Sequence, residues 1–577
     1  VSDRVGATPG ASAADTLDAV SEAVEGAAGA PLGESDASVI RSSTVMATGT
    51  IVSRITGVLR TTALTAAVGT GLLADAYNTA NTLPNIIYIL LIGGALNAVF
   101  IPQLVRHMTD DSDGGRSYAD RLLTLSGLVL LAITVLAVLT APWLTPLYAG
   151  NSWTPQQIEV LTQFAYLCLP QIFFYGMYSL YSQVLNTRGH FAAPMFAPIV
   201  NNIVVIVGCL AFLLVEHAPT IATISSGGIL LLGSATTLGV VAQAAVLVPV
   251  MSRAGYRFRP RFDLRGQGLG KAVTLAKWTI FFVAVNQVAF LVVTRLANTA
   301  GAEQNALGTA APKGSFVYAS AHLMFVLPHS IITVSVVTAL MPRMSRAAHA
   351  GNLAAVRHDI ARGMRLIAAA LVPATILLAL LAPQLSQLLL GYGNAGDAGA
   401  RAIGQVVQVF AVGLVAYSLY YVLLRGFFAV EDTRTPALVN LFLTAVNLSV
   451  GYALYRVLPP AQKVEGLAFG YAAAYIATTV VFWLILRRRF GGLDTYLTVR
   501  TLVRLAVAGV LAAAAGAGVL ALLGSHTGSG KAAALVDCAL VGPVVLGVFA
   551  AVARRTRVTE VVEVTEMVRR RLRRAAP

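Results

Sequence analysis

Charge is what this sequence has least of. Only 12% of its 577 residues are Asp, Glu, Lys or Arg, where an ordinary soluble chain carries about 25%. Cysteine is scarcer still. Cys168, Cys209 and Cys538 each lie in or at the edge of an apolar segment, with no metal-ligand spacing and no disulfide framework. No G-x-x-x-x-G-K-[S/T] stretch occurs, so a pump driven by its own phosphate-binding loop is excluded. Carboxylates are few within the apolar segments. Enzymes that use metal or general-base chemistry need them clustered, and the same scarcity leaves no proton or sodium site to name.

What remains is hydrocarbon. Hydrophobic residues make up 56% of the chain, and apolar runs long enough to span a bilayer, about 20 residues each, recur between short polar breaks. The sequence predicts an all-α integral membrane protein with fourteen helices between about residues 44 and 553. Residues 1–43 are different, rich in Ala, Ser and Gly, with seven acidic residues against Arg4 and Arg41. They read as a disordered acidic cytoplasmic tail without a signal-peptide pattern. Leaving it aside raises the net charge from +15 to +20. In a membrane body such basic residues record topology rather than nucleic-acid binding.

The connections after even-numbered helices carry the cations: "NTRGH", "SRAGYRFRPRFDLRGQGLGK", "PRMSR", "RRRFGG". The odd-numbered connections hold almost none. By the positive-inside rule both termini are then cytoplasmic, and the basic C-terminal tail can also hold anionic membrane lipids. The chain also repeats. "IPQLVR" at 101–106 returns as "MPRMSR" at 341–346, and "APWL" at 141–144 as "APQL" at 382–385, at offsets of 240 and 241 residues. An offset of six helices keeps the orientation, which is the parallel repeat of two bundles that rock about a shared site. The expected organisation is an N-lobe at 44–251, a basic linker at 252–270, a C-lobe at 271–490, two added helices at 491–555 and a basic tail at 556–577.

Against this background "SRITGVLRTTALTAAVGTGLLADAYNTANTLPN", residues 53–85, is anomalous. A cation at mid-membrane costs about 2.5–3.5 kcal/mol on insertion scales. Arg54 and Arg60, with Gly57, fall within an arc of about 120° on helix 1, so both can face one wet cavity. Snorkelling to an interface is the competing reading. On helix 2, Asp75, Asn78, Asn81, Thr82 and Asn85 share a face, which suits water or substrate; interhelical hydrogen bonding is the alternative. Asp75, close to the external end of helix 2, can pair with an arginine or cap that helix. Arg295 repeats the position of Arg54 in the second half, as a candidate partner cation. His322 and His329 share a face of helix 8, with a functional and a core role equally open.

"SRITGVLR", "DAYNTANTLPN", "VLNTRGHFAAPMFAPIVNN" and "RGFFAVEDTRTP" together closely resemble the signature segments of the MurJ/MviN lipid II flippases, members of the multidrug/oligosaccharidyl-lipid/polysaccharide exporter superfamily. The resemblance covers roughly residues 44–555. It implies fourteen helices in two six-helix lobes, a cationic central cavity, and two C-terminal helices lining a groove for a polyprenyl tail. The family's essential cavity residues map onto Arg54, Arg60, Asp75 and Asn85. Tyr88 and Ile89 stand where proteobacterial members have a pair of arginines, Gly93 where they have a glutamate, and His322 where they have an arginine. The chain looks more like the actinobacterial branch.

The implied substrate is lipid II or a related polyprenyl-diphosphate glycolipid, flipped by alternating access in the cytoplasmic membrane for peptidoglycan synthesis. No cofactor is implied, the energy source being the membrane potential or a coupling ion. Cell-wall synthesis machinery is a further possible partner. Arginine suits a diphosphate because its planar fork gives bidentate contacts. The rivals are a flippase for another polyprenyl glycan and an ion-coupled multidrug exporter, which would want buried carboxylates instead.

Overall fold

The computed structural model describes residues 36–90, 115–262, 269–524 and 530–562. Among them every regular element is helical. In chain order they are α1 (Asp36–Val68), α2 (Leu72–Tyr88), α3 (Arg116–Leu139), α4 (Ala141–Ala149), α5 (Pro155–Cys168), α6 (Gln171–Thr187), α7 (Ala192–Val215), α8 (Ser226–Ala245) and α9 (Leu247–Arg253). There follow α10 (Leu269–Ala306), α11 (Ser315–His349), α12 (Leu353–Leu390), α13 (Gly396–Ala411), α14 (Leu414–Ala429), α15 (Arg434–Val457), α16 (Lys463–Arg489), α17 (Thr495–Gly524) and α18 (Lys531–Arg555).

Proline explains part of the excess of helices over expected spans. The third expected helix breaks at Thr140, before Pro142, and the fourth at Leu169–Pro170. Proline lacks the N–H that a continuous helix would use. The tenth bends by 52° between α13 and α14. There Gly413 lies so close to Ala472 that an added Cβ would be 2.8 Å from the Ala472 Cα. Helix starts follow local chemistry: Thr154 and Gln157 form a reciprocal capping box ahead of α5, with Pro155 at its first position.

Among the described residues eleven helices are long and apolar enough to cross a membrane, or twelve if the bent pair is one span. The other two expected spans correspond to α1 and α2; residues 91–104 of the second expected span lie outside the described residues. The repeat copy at 101–106 also lies outside the described residues.

The chain forms two compact units, one of Val1–Phe316 with Tyr392–Gly396 and one of Val317–Gly391 with Asp397–Pro577. The helix α10, which begins the second set by sequence, falls in the first unit. In that unit α7 packs between α1 and α8, while α2 packs on α5, α6 and α10. A short 3-10 turn at Gly393–Ala395 closes on the end of α1, where Asn394 Nδ2 donates to Ala67 O at 2.7 Å. Gly393 has φ +54° there, and a Cβ would stand 2.4 Å from Ala66 O, so only glycine fits.

The basic segment after α9 is fastened rather than loose. Tyr256 Oη donates to Asp120 Oδ1 at 2.7 Å, and the backbone N–H groups of Arg259 and Arg261 donate to Asp120 and to Thr124 Oγ1. Burial, reinforced by the adjacent Asp120, pushes the Tyr256 hydroxyl well above its usual range. Residues 263–268 of the expected linker lie outside the described residues.

In the second unit α15 and α16 meet through small residues: a Cβ on Gly470 would lie 2.6 Å from Gly451 Cα. Such contacts let helix backbones approach where lipid offers no hydrophobic drive. The last two helices pack on α12 through Ala368, Ile376, Leu505, Ala512, Val541 and Val545. Gly516 admits Leu380 and Val545 at that seam. A buried ion pair, Arg365 Nε to Glu560 Oε1 at 2.7 Å, ties α12 to the segment after α18.

Candidate functional site

The first unit carries the sequence anomaly. On α1 the exposed large apolar residues are Val52, Ile55 and Leu59, at 36%, 56% and 53%. At about 100° per residue they share one stripe, and Arg54, Gly57 and Arg60 lie on the opposite face. The arginines therefore do not share the lipid-suited side. Arg60 Nη1 donates to Asn202 Oδ1 of α7 at 3.5 Å. Asn202 is itself buried and donates from Nδ2 to Thr56 Oγ1 at 3.0 Å and to Ser53 O at 3.4 Å. One amide thus links three positions of α1 to α7.

On α2 the polar stripe is the open face. Every residue from Leu72 to Tyr88 is buried except Asn78, Asn81, Thr82, Asn85 and Ile87. The four polar residues fall within about 100° of one another. Part of this stripe is bonded to neighbouring helices. Asn81 Oδ1 accepts from Gln171 Nε2 at 3.4 Å, and Asn78 Nδ2 donates to Ser315 Oγ at 3.3 Å. Asn85 Oδ1 has no hydrogen-bond partner. The stripe thus bridges helices through its amides and keeps a partly exposed polar face.

Asp75 has a different task. It is 1% exposed and accepts from the Phe316 N–H at 2.8 Å, with the Ser315 side chain and backbone also donating. Its carboxylate caps the first turn of α11, which stands 241 residues away in sequence. A helix N-terminus offers unsatisfied N–H groups and a partial positive charge, so an anion fits there. Gly301 and Gly314 make room for it: a Cβ on Gly314 would fall 1.8 Å from Asp75 Oδ2, and one on Gly301 2.6 Å.

Arg295 joins neither group. Its Nη1 donates to Leu147 O at 2.8 Å and Pro146 O at 3.4 Å, and its Nη2 to Asn151 Oδ1 at 2.6 Å. It satisfies the last carbonyls of α4, the position where a cation meets the negative end of a helix. One turn on, Asn298 Nδ2 donates to Thr79 Oγ1 at 3.0 Å and Tyr148 O at 2.7 Å, joining α10 to α2 and α4.

In the second unit His322 is 2% exposed among the rings of Phe325, Phe410 and Tyr471, and its Nε2 pairs with the Tyr471 hydroxyl at 3.1 Å. His329 pairs with Ser418 at 2.8 Å. Both histidines are packed into the interior of that unit. Sequence reasoning passed over Asn202, Ser315, Gln171 and Asn298. Each is a small polar residue in or beside an apolar run. That signal is common to packing and function, and only the partner separates them.

A family model described as "Lipid II flippase MurJ" matches residues 64–533. The chain belongs to the MurJ lipid II flippase family. It is 27% identical over 486 residues to a probable lipid II flippase MurJ of Rhizobium meliloti, covering 83% of this chain and 86% of that protein. To the lipid II flippase MurJ of Burkholderia cenocepacia it is 24% identical over 450 residues, covering 76% and 82%. A solved structure of lipid II flippase MurJ in an inward closed conformation matches with a TM-score of 0.69 at 17% identity, over 89% of this chain and 99% of that one. An inward-facing MATE transporter of the MOP superfamily matches at 0.61 and 15% identity, over 77% and 96%. These structural likenesses speak to the fold, which the MurJ family shares with MATE transporters. With its eleven or twelve candidate spans, this MurJ-family chain is an integral membrane protein. The family match begins at Leu64, after both arginines of α1, so their assignment rests on their placement.

Proposed function

We propose that this MurJ-family chain is a lipid II flippase and not an enzyme. It moves the diphospho-sugar head of the lipid-linked peptidoglycan precursor from the cytoplasmic to the outer leaflet, while the polyprenyl tail stays in hydrocarbon. One observation carries the reading. Arg54 and Arg60 occupy the face of α1 turned away from its exposed apolar stripe, where a mid-membrane cation needs water or an anion. The part-exposed amides of α2, Asn78 and Asn85, supply neutral hydrogen bonds to sugar and phosphate oxygens. Arg295 supports this face indirectly, by fixing α4 against α10, and His322 fills the interior of the second unit.

The protein acts in the cytoplasmic membrane with both termini on the cytoplasmic side, and the face is exposed alternately to each side. An inside-negative potential favours outward movement of an anionic head by about 2.3 kcal/mol per charge per 100 mV. A coupling ion is the other energy source, and cell-wall synthases that consume the flipped precursor are the natural partners. The test is reconstitution in vesicles with labelled lipid II, other polyprenyl-diphosphate glycans and hydrophobic cations offered separately. Translocation of lipid II above the others is expected. Preference for another glycan reassigns the headgroup, and transport of cations without lipid II overturns the reading.

A further inference from the structure

The second unit contains a cavity of about 630 Å³ at the junction of α16 and α17. That is within the range of about 300–1,000 Å³ common for small-ligand sites. It is lined by Arg357, Arg487, Arg488 and Asp494, with Leu484 and the Gly491–Gly492 turn. None of these residues belongs to the transport face. Charge alone at this place needs no cavity, because an arginine run after a span serves topology wherever its side chains point. The three arginines of "RRR" are instead used differently. Arg489 pairs with Asp432, whose carboxyl is also held by the Thr435 N–H and hydroxyl. Against the opposing effect of burial, these contacts keep Asp432 below the usual carboxylate range. Among the described residues, Arg487 and Arg488 have no acidic partner. Arg487 lies over the Trp483 ring at 5.3 Å.

The one carboxylate of the cavity is already shared, since Asp494 meets Arg357 Nε at 3.6 Å and His358 Nδ1 at 3.2 Å. The floor therefore keeps an excess of positive charge. The start of α17 adds its free N–H groups, and Gly491 and Gly492, at φ +65° and +125°, leave the turn without side chains. Beside this polar floor the surface is apolar. Leu484 lines the cavity at 41% exposure, and Leu497 and Tyr496 lie open at 47% and 77%. Cations at one end and exposed aliphatic and aromatic surface at the other fit an amphiphile with an anionic head.

We propose that this cavity binds the phosphate of an anionic phospholipid in the leaflet on its side of the membrane, with Arg357, Arg487 and Arg488 around the phosphate and the acyl chains along Leu484 and Leu497. Such a lipid would brace the α16–α17 junction, from which the last two helices depart. The test uses the full chain in nanodiscs of phosphatidylcholine with increasing phosphatidylglycerol, reading retained phosphatidylglycerol by native mass spectrometry. Each of Arg487→Gln and Arg488→Gln should lower the apparent affinity about fivefold, the effect of one basic residue at an anionic surface. Arg489→Gln makes the same change in net charge within the same run and should leave retention unchanged. Equal losses in all three variants would overturn the site in favour of diffuse attraction, as would retention that none of them alters. Displacement of phosphatidylglycerol by millimolar inorganic phosphate would overturn the lipid as occupant, because the apolar surface would then add nothing.

Discussion

Arg60 is held by an amide, and that choice of partner matters. A carboxylate at residue 202 would neutralise the guanidinium; Asn202 positions it and leaves its charge for a ligand. The contact is long, 3.5 Å, at the weak end for a hydrogen bond, so the arginine remains free to regrip an arriving diphosphate. Arg54→Ala and Arg60→Ala should abolish lipid II translocation with membrane abundance unchanged, since removing a charge eases insertion by about 2.5–3.5 kcal/mol at mid-depth. Lysine should rescue poorly, lacking the planar fork. Arg54, nearer mid-depth, should tolerate replacement less well than Arg60. Asn202→Asp should be as damaging as losing Arg60, because the new ion pair occupies the cation, whereas Asn202→Ala should lose only part of the rate. Vesicle translocation and cell-wall complementation measure both. Full activity in Arg54→Ala would remove the diphosphate assignment, and full activity in Asn202→Asp would show that the charge of Arg60 is not used.

Helices were legible in the sequence because each is a long apolar run with its own ends, and the position of each break follows a local cause such as Pro142, Pro170 or Gly413. The polar stripe of α2 was legible as a period of 3.6. Which helix an isolated polar group serves was not legible. Asp75 caps α11 across 241 residues, and Arg295 closes α4 from α10 across 148; no local pattern encodes a partner that distant. The fit at Asp75 makes a prediction at this scale. Gly314→Ala would put a Cβ 1.8 Å from the Asp75 carboxylate, which its bonds to Ser315 and Phe316 hold in place. Overpacking of this kind costs about 1–3 kcal/mol. The melting temperature in detergent should fall for Gly314→Ala. Adding Asp75→Ala should cost little beyond it, since it removes the carboxylate that the new Cβ meets and loses a cap that the clash has already disturbed. Purely additive losses would mean that the two residues do not share a site.

At the scale of the whole molecule, topology is the claim that sequence and structure approach from different sides. Counting charges places the 252–271 segment in the cytoplasm because it holds six Lys and Arg, while the connection after α10 holds almost none. The fold adds what makes this testable. Tyr256 anchors the segment on Asp120 and leaves Pro260 exposed, and Asn305 is exposed at the end of α10. Among the described residues the one helix between the two positions is α10, of 38 residues, which at about 1.5 Å per residue is longer than the roughly 30 Å hydrocarbon core it has to cross. Single cysteines at 260 and 305, in a chain whose three native thiols are replaced by Ala, should then react with a membrane-impermeant maleimide from opposite sides. Position 305 should label in intact cells, and position 260 only after permeabilisation. Cys168 and Cys209 are fully buried, so their replacement removes background at the cost of small cavities. Labelling of both positions in intact cells would mean that α10 does not cross the membrane, and the assignment of both termini to the cytoplasm would fall with it.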